Sequence, residues 1–327
     1  ESSNNEVPEY KRRSKQRDKN RKKRRKKRKE EKTERIIKRR IASQENRDIK
    51  IWTWNAQKAS TAFFPGKCRL TEMIQYSMTK EADIILFTEL TSNTEGMSWF
   101  NADNLRGVLV HGNRTAIFLR DKYAQLWKEG GCVRSFECRA TSVKIGDLKL
   151  TSFYTPVSRT NDTEYESMRE AMEYQRMTSS AEEIMICGGD MNACVGAEST
   201  RVISTAAGKY GLNRTNAMGR DLLCWLESNG LTLLNSYSNH NHRGTWYNRA
   251  RRQWYELDGF WTKQEHRAKV MKRIRTIKEE TYSDHRPVEL ELTRIKFHKK
   301  KKQRHPNTET NRNIHWDVLK DKTVKQN

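Results

Sequence analysis

The chain reads as a mixed α/β protein of the α+β kind, two packed sheets with helices on their outer faces. Three observations predict this. Short apolar or alternating runs recur between residues 49 and 292 and outnumber the helical patterns. Three amphipathic stretches of helical period interrupt them at wide intervals. Strand runs separated by few helices are best satisfied by two sheet layers, each covered on its free face. A chain of 327 residues with 34% apolar residues and nine Trp can build such a core.

The folded part begins at Ile49-Lys-Ile-Trp-Thr-Trp54, where alternating and aromatic residues first appear. A helical pattern follows over Lys67 to Met78, then Ala82 to Phe87, a mostly apolar run of the kind a buried strand shows. Gly107 to His111, Thr115 to Arg120, Ala140 to Ile145 and Leu148 to Tyr154 are the next strands. Asp162 to Met177 is helical, with Tyr165, Met168, Met172 and Tyr174 on its apolar side. After a strand at Glu183 to Cys187, Ala217 to Ser228 is a helix carrying Leu222, Leu223, Trp225 and Leu226. Leu231 to Leu234, Leu257 to Trp261 and Val288 to Leu292 complete the strands.

Charge is concentrated outside this region. Residues 11–40 hold twenty Lys/Arg and four Asp/Glu, a net of +16, which leaves +8 of the total +24 for the rest. Residues 1–47 therefore read as a disordered basic tail that contacts nucleic acid or import machinery, or is simply solvated. Residues 48–295 form the globular domain, and 296–327 a second basic segment, a connector. The six cysteines lack Cys-x-x-Cys and zinc-type His spacing, as expected of reduced thiols in an intracellular, here nuclear, protein. No apolar run approaches the roughly 20 residues of a membrane helix, and the polar start does not read as a signal peptide.

Five polar signatures cap the strands in one order: Ile51-Trp-Thr-Trp-Asn55, Ile85-Leu-Phe-Thr-Glu89, Thr151-Ser-Phe-Tyr154, Cys187-Gly-Gly-Asp190-Met-Asn192, and Leu257-Asp258 with Ser283-Asp284-His285. A single polar residue at a strand end is ordinarily turn chemistry. Together these residues supply metal ligands, an oxyanion partner and a proton-transfer pair for cutting a phosphoester. Glu89 would emerge at a sheet end, where a carboxylate suits a hard cation such as Mg²⁺. Gly188-Gly189 permits a tight turn that presents Asp190 and Asn192 on one side if extended. A carboxylate beside His285 would fix its tautomer and stabilise the imidazolium. Trp246 with Arg243, Arg249, Arg251 and Arg252 forms an aromatic and basic cluster, either a clamp for a nucleic-acid backbone or a solvated loop.

In this order the signatures resemble the endonuclease/exonuclease/phosphatase superfamily, which includes apurinic/apyrimidinic endonucleases and deoxyribonuclease I. A finer pattern adds Trp54-Asn55 followed by Gly66-Lys67, Asn216-Ala-Met-Gly219-Arg220, Leu233-Leu-Asn235-Ser236 and Gly244-Thr245-Trp246 before Leu257-Asp258. This is similar to the endonuclease domains of non-LTR retrotransposons and to craniofacial-development-like proteins, over roughly residues 48–295. The resemblance implies a deoxyribonuclease I-like four-layered sandwich of two mainly antiparallel sheets, with the site on loops at one end. It implies that Glu89 is the main metal ligand, with Asn55 its neighbour and Asp284 on the metal side. Asp190 would orient or deprotonate water, Asn192 and Tyr154 would bind the phosphate, and His285 would contact it with Asp258 as partner.

The implied activity is a Mg²⁺-dependent phosphodiesterase, with Mn²⁺ a substitute, acting on DNA or RNA as a monomer. Its most concrete form is a retrotransposon-type endonuclease nicking one DNA strand to leave 3′-hydroxyl and 5′-phosphate. An RNA deadenylase or phosphatase of the same fold, and a catalytically decayed nucleic-acid-binding module, are the alternatives. The chain departs from the family at Gln57, at Met191 and at Gly259, where a ring usually follows the Asp. The missing ring is expected to loosen the His–Asp geometry.

Overall fold

The computed structural model describes residues 48–62, 66–92, 95–102, 105–128, 133–136, 139–157, 162–197, 204–212, 214–239, 243–278, 282–293 and 295. The basic tail (1–47) and the connector (296–327) lie outside the described residues, as do Cys132 and Cys138.

One sheet takes β1 (Ile49–Asn55), β2 (Ile84–Thr88), β3 (Gly96–Ala102), β4 (Leu105–His111), β5 (Ala116–Arg120), β14 (Met271–Thr276) and β15 (Val288–Leu292), in the order β14-β15-β1-β2-β5-β4-β3. The other takes β6 (Val133–Phe136), β7 (Ala140–Ile145), β8 (Leu148–Tyr154), β9 (Ile184–Asp190), β10 (Leu231–Leu233) and β13 (Asp258–Lys263), in the order β10-β13-β9-β8-β7-β6. A separate two-stranded ribbon pairs β11 (Trp246–Asn248) with β12 (Gln253–Tyr255). The helices are α1 (Arg69–Thr79), α2 (Asp121–Lys128), α3 (Asp162–Met177), α4 (Ala217–Ser228) and α5 (Gln264–Val270). Each sheet is antiparallel apart from one parallel pair, β1–β2 and β8–β9.

Strand alternation sorts the side chains into layers. Ile49, Ile51, Ile84, Leu86, Val288 and Leu290 face Leu148, Leu150, Ile186 and Phe260 across the space between the sheets. The intervening residues Trp52, Trp54, Ile85 and Phe87 pack on Leu70, Met73 and Ile74 of α1. On the other side Phe153, Met185, Cys187 and Trp261 pack on Ala171 and Met172 of α3 and on Leu223 and Leu226 of α4. The result is helix, sheet, sheet, helix, with each large apolar side chain contributing about 1.5–3 kcal/mol on burial.

Helices α3 and α4 have the predicted bounds, and α4 starts at Asn216, whose side chain accepts from Gly219 N at 2.7 Å. Strands β3, β6 and β14, the ribbon and helices α2 and α5 were not anticipated. β14 hides because it reads Met-Lys-Arg-Ile-Arg-Thr; its cations meet the acids of β15 instead of apolar neighbours, Arg275 with Glu289 at 2.7 Å and Lys272 with Glu291 at 3.0 Å. The expected turn at Gly188-Gly189 is also corrected, because both residues lie inside β9. A Cβ on Gly189 would sit 1.7 Å from Phe153 O, and one on Gly188 2.6 Å from the Phe260 ring, so these glycines allow close packing of strand and ring.

Candidate active site

The inward-facing rows that build the inter-sheet core run on into polar residues at one end. In β1 the row Ile49, Ile51, Thr53 ends at Asn55; in β8, Leu148, Leu150, Ser152 ends at Tyr154; in β9, Ile186 and Gly188 end at Asp190. Register then aligns these ends. Asp190 is opposite Tyr154 on β8 and opposite Asp258 on β13, so the three share one row on one face.

The second sheet closes over this row. Asn55 Nδ2 donates to Asp190 Oδ2 and to Glu89 Oε2, each at 2.9 Å, and so joins the two sheets. Ser283 Oγ donates to Asn55 O at 2.8 Å and accepts from His285 N at 3.1 Å, while Trp54 Nε1 donates to His285 O at 2.9 Å. These bonds hold His285 where its Nδ1 meets Asp258 Oδ2 at 2.7 Å. One oxygen or nitrogen from each of Asp190, Asp258 and His285 lies within 4.8 Å of the others. Glu89 (φ 53°) and Asn192 (φ 45°) adopt left-handed backbone, uncommon away from glycine and frequent at functional sites.

The predicted residues are brought together with differences of detail. Asp190 and Asn192 do not share an extended segment: the chain turns back, and Asn192 N donates to Asp190 Oδ1 at 2.9 Å, while its side-chain Nδ2 donates to Thr155 O at 2.7 Å. Asn55 presents its NH₂ to the carboxylates because its Oδ1 accepts from Gln57 N at 2.8 Å. Asp284 is exposed and accepts from Trp246 Nε1 at 3.3 Å. Arg243 is corrected as a nucleic-acid contact: its side chain is turned inward onto buried Glu256, Nε to Oε2 at 3.0 Å, whereas Arg249, Arg251 and Arg252 are exposed. The expected loosening at Gly259 is overturned by the 2.7 Å His285–Asp258 bond.

Arg139 was not anticipated. It precedes β7, and the β7–β8 register sets its guanidinium 5.0 Å from the centre of the Tyr154 ring. No spacing in the sequence reveals that register. A groove of about 570 Å³ opens beside Asp284, lined by Tyr247, Arg249, Trp254, Lys278, Ser283 and Arg286. Arg286 lies over Trp254, its Cζ 3.4 Å from the ring centre.

Burial and like charge tune the cluster. Burial, followed by the charge of Asp258, pushes Asp190 up to about 7, the range of a general base at neutral pH. Burial alone would lower His285, but the charge and hydrogen bond of Asp258, with Asp190 and Asp284, raise it to about 9. Tyr154 is pushed up to about 12, first by burial and then by Glu89 and Asp190, and stays protonated at neutral pH. Asp190 and Asp258 thus gather around one imidazole, Glu89 is joined to Asp190 through Asn55, and Asp258 Oδ1 is buried with no hydrogen-bond partner among the described residues. Clustered hard oxygen donors of this kind suit a divalent cation.

No family model matches the chain, and no curated protein does. Solved structures do. The AP endonuclease LMAP from Leishmania major superposes with a TM-score of 0.51 at 13% identity, covering 76% of this chain and 88% of its own. A variant of the 3′ phosphatase NExo from Neisseria, bound to a product DNA hairpin, gives 0.50 at 14% identity, covering 75% and 99%. The endonuclease domain of TRAS1, a telomere-specific non-LTR retrotransposon, gives 0.49 at 17% identity, covering 76% and 100%. The chain thus shares its overall fold with the AP endonuclease LMAP and the 3′ phosphatase NExo.

Proposed function

We propose that the chain is a divalent-metal-dependent phosphodiesterase of the retrotransposon endonuclease type, which nicks one strand of DNA. The observation that carries this is the row Tyr154–Asp190–Asp258, capped by His285 and joined to Glu89 through Asn55. Glu89 and Asp284 would hold Mg²⁺, with Asn55 orienting the carboxylates through its NH₂. The bound ion would supply charge neutralisation at the phosphate and the leaving oxygen.

The chain's own groups do the rest. Asp190, held by Asn192 N on one oxygen and Asn55 Nδ2 on the other, accepts a proton from the attacking water. His285 has Nδ1 engaged by Asp258, which leaves Nε2 to face the phosphate as an imidazolium donor. Tyr154, protonated at neutral pH, donates from the adjacent position, and Asn192 binds the phosphate beside it. Water, its proton passing to Asp190, attacks phosphorus as the bond to the 3′-oxygen breaks, and that oxygen takes a proton from solvent, leaving 3′-hydroxyl and 5′-phosphate. The groove of Tyr247, Arg249 and Lys278 next to Asp284 favours a polynucleotide over a small phosphate ester, since it offers aromatic surface and exposed cations beyond the reacting phosphate.

The test is nicking of supercoiled plasmid by the chain with Mg²⁺, with EDTA, and with Asp190→Ala and His285→Ala. Nicking that needs the metal and both side chains supports the reading. A folded, DNA-binding protein that never nicks would replace it with a binding module or another phosphoesterase.

A further inference from the structure

We infer that the side-chain amide of Asn235 stands in for a missing strand residue and holds Asp258 in position for His285. The structural part is independent of the proposed activity, and only its kinetic consequence rests on that reading. β10 pairs with β13 as Leu231 opposite Lys263 and Leu233 opposite Trp261, so residue 235 is the next position in register, opposite Gly259. The backbone has left the sheet by then, in the short 3-10 turn Leu234–Tyr237. The amide replaces it: Asn235 Nδ2 donates to Asp258 O at 3.0 Å, and Oδ1 accepts from Phe260 N at 3.0 Å. One primary amide thereby clasps the backbone on both sides of Gly259, as a peptide group of the absent strand would.

The orientation of the amide is fixed from below. Its Nδ2 also donates to Glu256 Oε1 at 3.0 Å, and Glu256 is gripped by Arg243 through Nε to Oε2 at 3.0 Å and Nη2 to Oε1 at 3.2 Å. Asn235 and Asp258 are both essentially inaccessible, so the hydrogen bonds form in a low-dielectric setting where misplacement is costly. Gly259 belongs to the same device. A Cβ there would lie 2.5 Å from Asn235 Oδ1, so the amide occupies the space that a side chain at 259 would need. Glycine makes room for the amide, the amide fixes the backbone, and the backbone aims Asp258. Asn235 is accordingly a positioning residue, with no contact to reacting atoms.

The test uses the full chain as Asn235→Ala, Gly259→Ala and the double variant. It reads kcat and KM for Mg²⁺-dependent plasmid nicking, the low-field proton resonance of the His285 Nδ1–H to Asp258 bond, and thermal melting. Each single variant is expected to lower kcat about tenfold or more with KM within about twofold, and to weaken or erase the resonance. The double variant should be no worse than Asn235→Ala by more than about twofold, because the methyl group added at position 259 then has no amide to displace. Folded single variants with unchanged kcat and an unchanged resonance overturn the inference, as does a double variant whose losses multiply. If the unaltered chain does not nick, the resonance and the non-additivity in melting still decide the clasp, while the endonuclease reading falls. Should Asn235→Ala not fold, Glu256→Gln decides: lower kcat and a weakened resonance support the clasp, and no change in either overturns it.

Discussion

Asp258→Asn separates the electrostatic argument from mere packing. Asp258 is fully buried and holds His285 Nδ1 at 2.7 Å, and His285 stands at about 9 against an ordinary 6.5. That difference, at about 1.4 kcal/mol per unit, sets a scale of roughly 3 kcal/mol, with Asp258 the largest raising influence. A raised histidine adds stability that is fully present below its unfolded value of 6.5 and is lost as pH climbs through about 9. Asp190 acts in the same direction. Its raised carboxyl adds stability that is fully present below its unfolded value of 3.8 and is lost as pH climbs through about 7, and Asp258→Asn removes a charge that raises it, so the variant loses less over that range. Denaturant titration in EDTA should therefore find Asp258→Asn destabilised by roughly 2–3 kcal/mol near about pH 6, with the gap closing by about pH 10. Nicking should fall by about two to four orders of magnitude, as loss of an orienting carboxylate does elsewhere. A gap that stays constant with pH, or a variant more stable at the acid end, would refute the reasoning.

Asp190→Asn should abolish nicking yet raise the denaturation midpoint above about pH 8, because ionised Asp190 is buried beside Asp258; a midpoint at or below that of the unaltered chain would count against the like-charge argument. Arg249→Ala and Lys278→Ala should each reduce the slope of log affinity against log salt by about 1 while leaving the single-turnover nicking rate of bound substrate unchanged, measured by binding titrations across a salt series. Trp54→Phe removes the donor to the buried His285 carbonyl and should cost about 1–3 kcal/mol, read as a lower urea midpoint at constant slope. The nicking rate should rise as Asp190 ionises, on a limb at or below about 7 that moves to lower pH as Mg²⁺ increases, and should fall above about 9 as His285 deprotonates.

What the sequence made legible follows from periodicity. Strands built on aliphatic alternation, and helices α3 and α4 with their apolar faces, stood out because burial dictated residue type at every second or every third and fourth position. The signatures Asn55, Glu89, Tyr154, Asp190, Asp258 and His285 were visible as polar ends to apolar runs, and the structure gathers them. Elements stabilised by pairing across strands were not visible. Strand β14 is held by cation–carboxylate pairs whose partners lie well over ten residues away in the chain, and the ribbon β11–β12 by aromatic contacts such as Tyr247 on Trp254 at 5.2 Å. Arg139 and the inward turn of Arg243 were illegible for the same reason, since each depends on a register or a buried partner and not on its own neighbours.

The alternation that makes the core also makes the site, and this sets its rigidity. Tyr154, Asp190 and Asp258 are the terminal members of inward rows whose earlier members are buried among aliphatic side chains, so their Cα positions are fixed by two strand pairings on either side of β9. Several unfavourable features collect at or beside the ends of those rows: like charges at Asp190 and Asp258, a buried Asp258 oxygen with no hydrogen bond among the described residues, and left-handed backbone at Glu89 and Asn192. In a flexible loop such a cluster would relax by rotating its carboxylates into water. Here it is held by the sandwich beneath it and by the Asn55, Ser283 and Trp54 hydrogen bonds that tie one sheet to the loop of His285. In the proposed enzyme a cation held by Glu89 and Asp284 would offset part of this negative charge, and groups already fixed in place are the preorganisation that such a reaction requires.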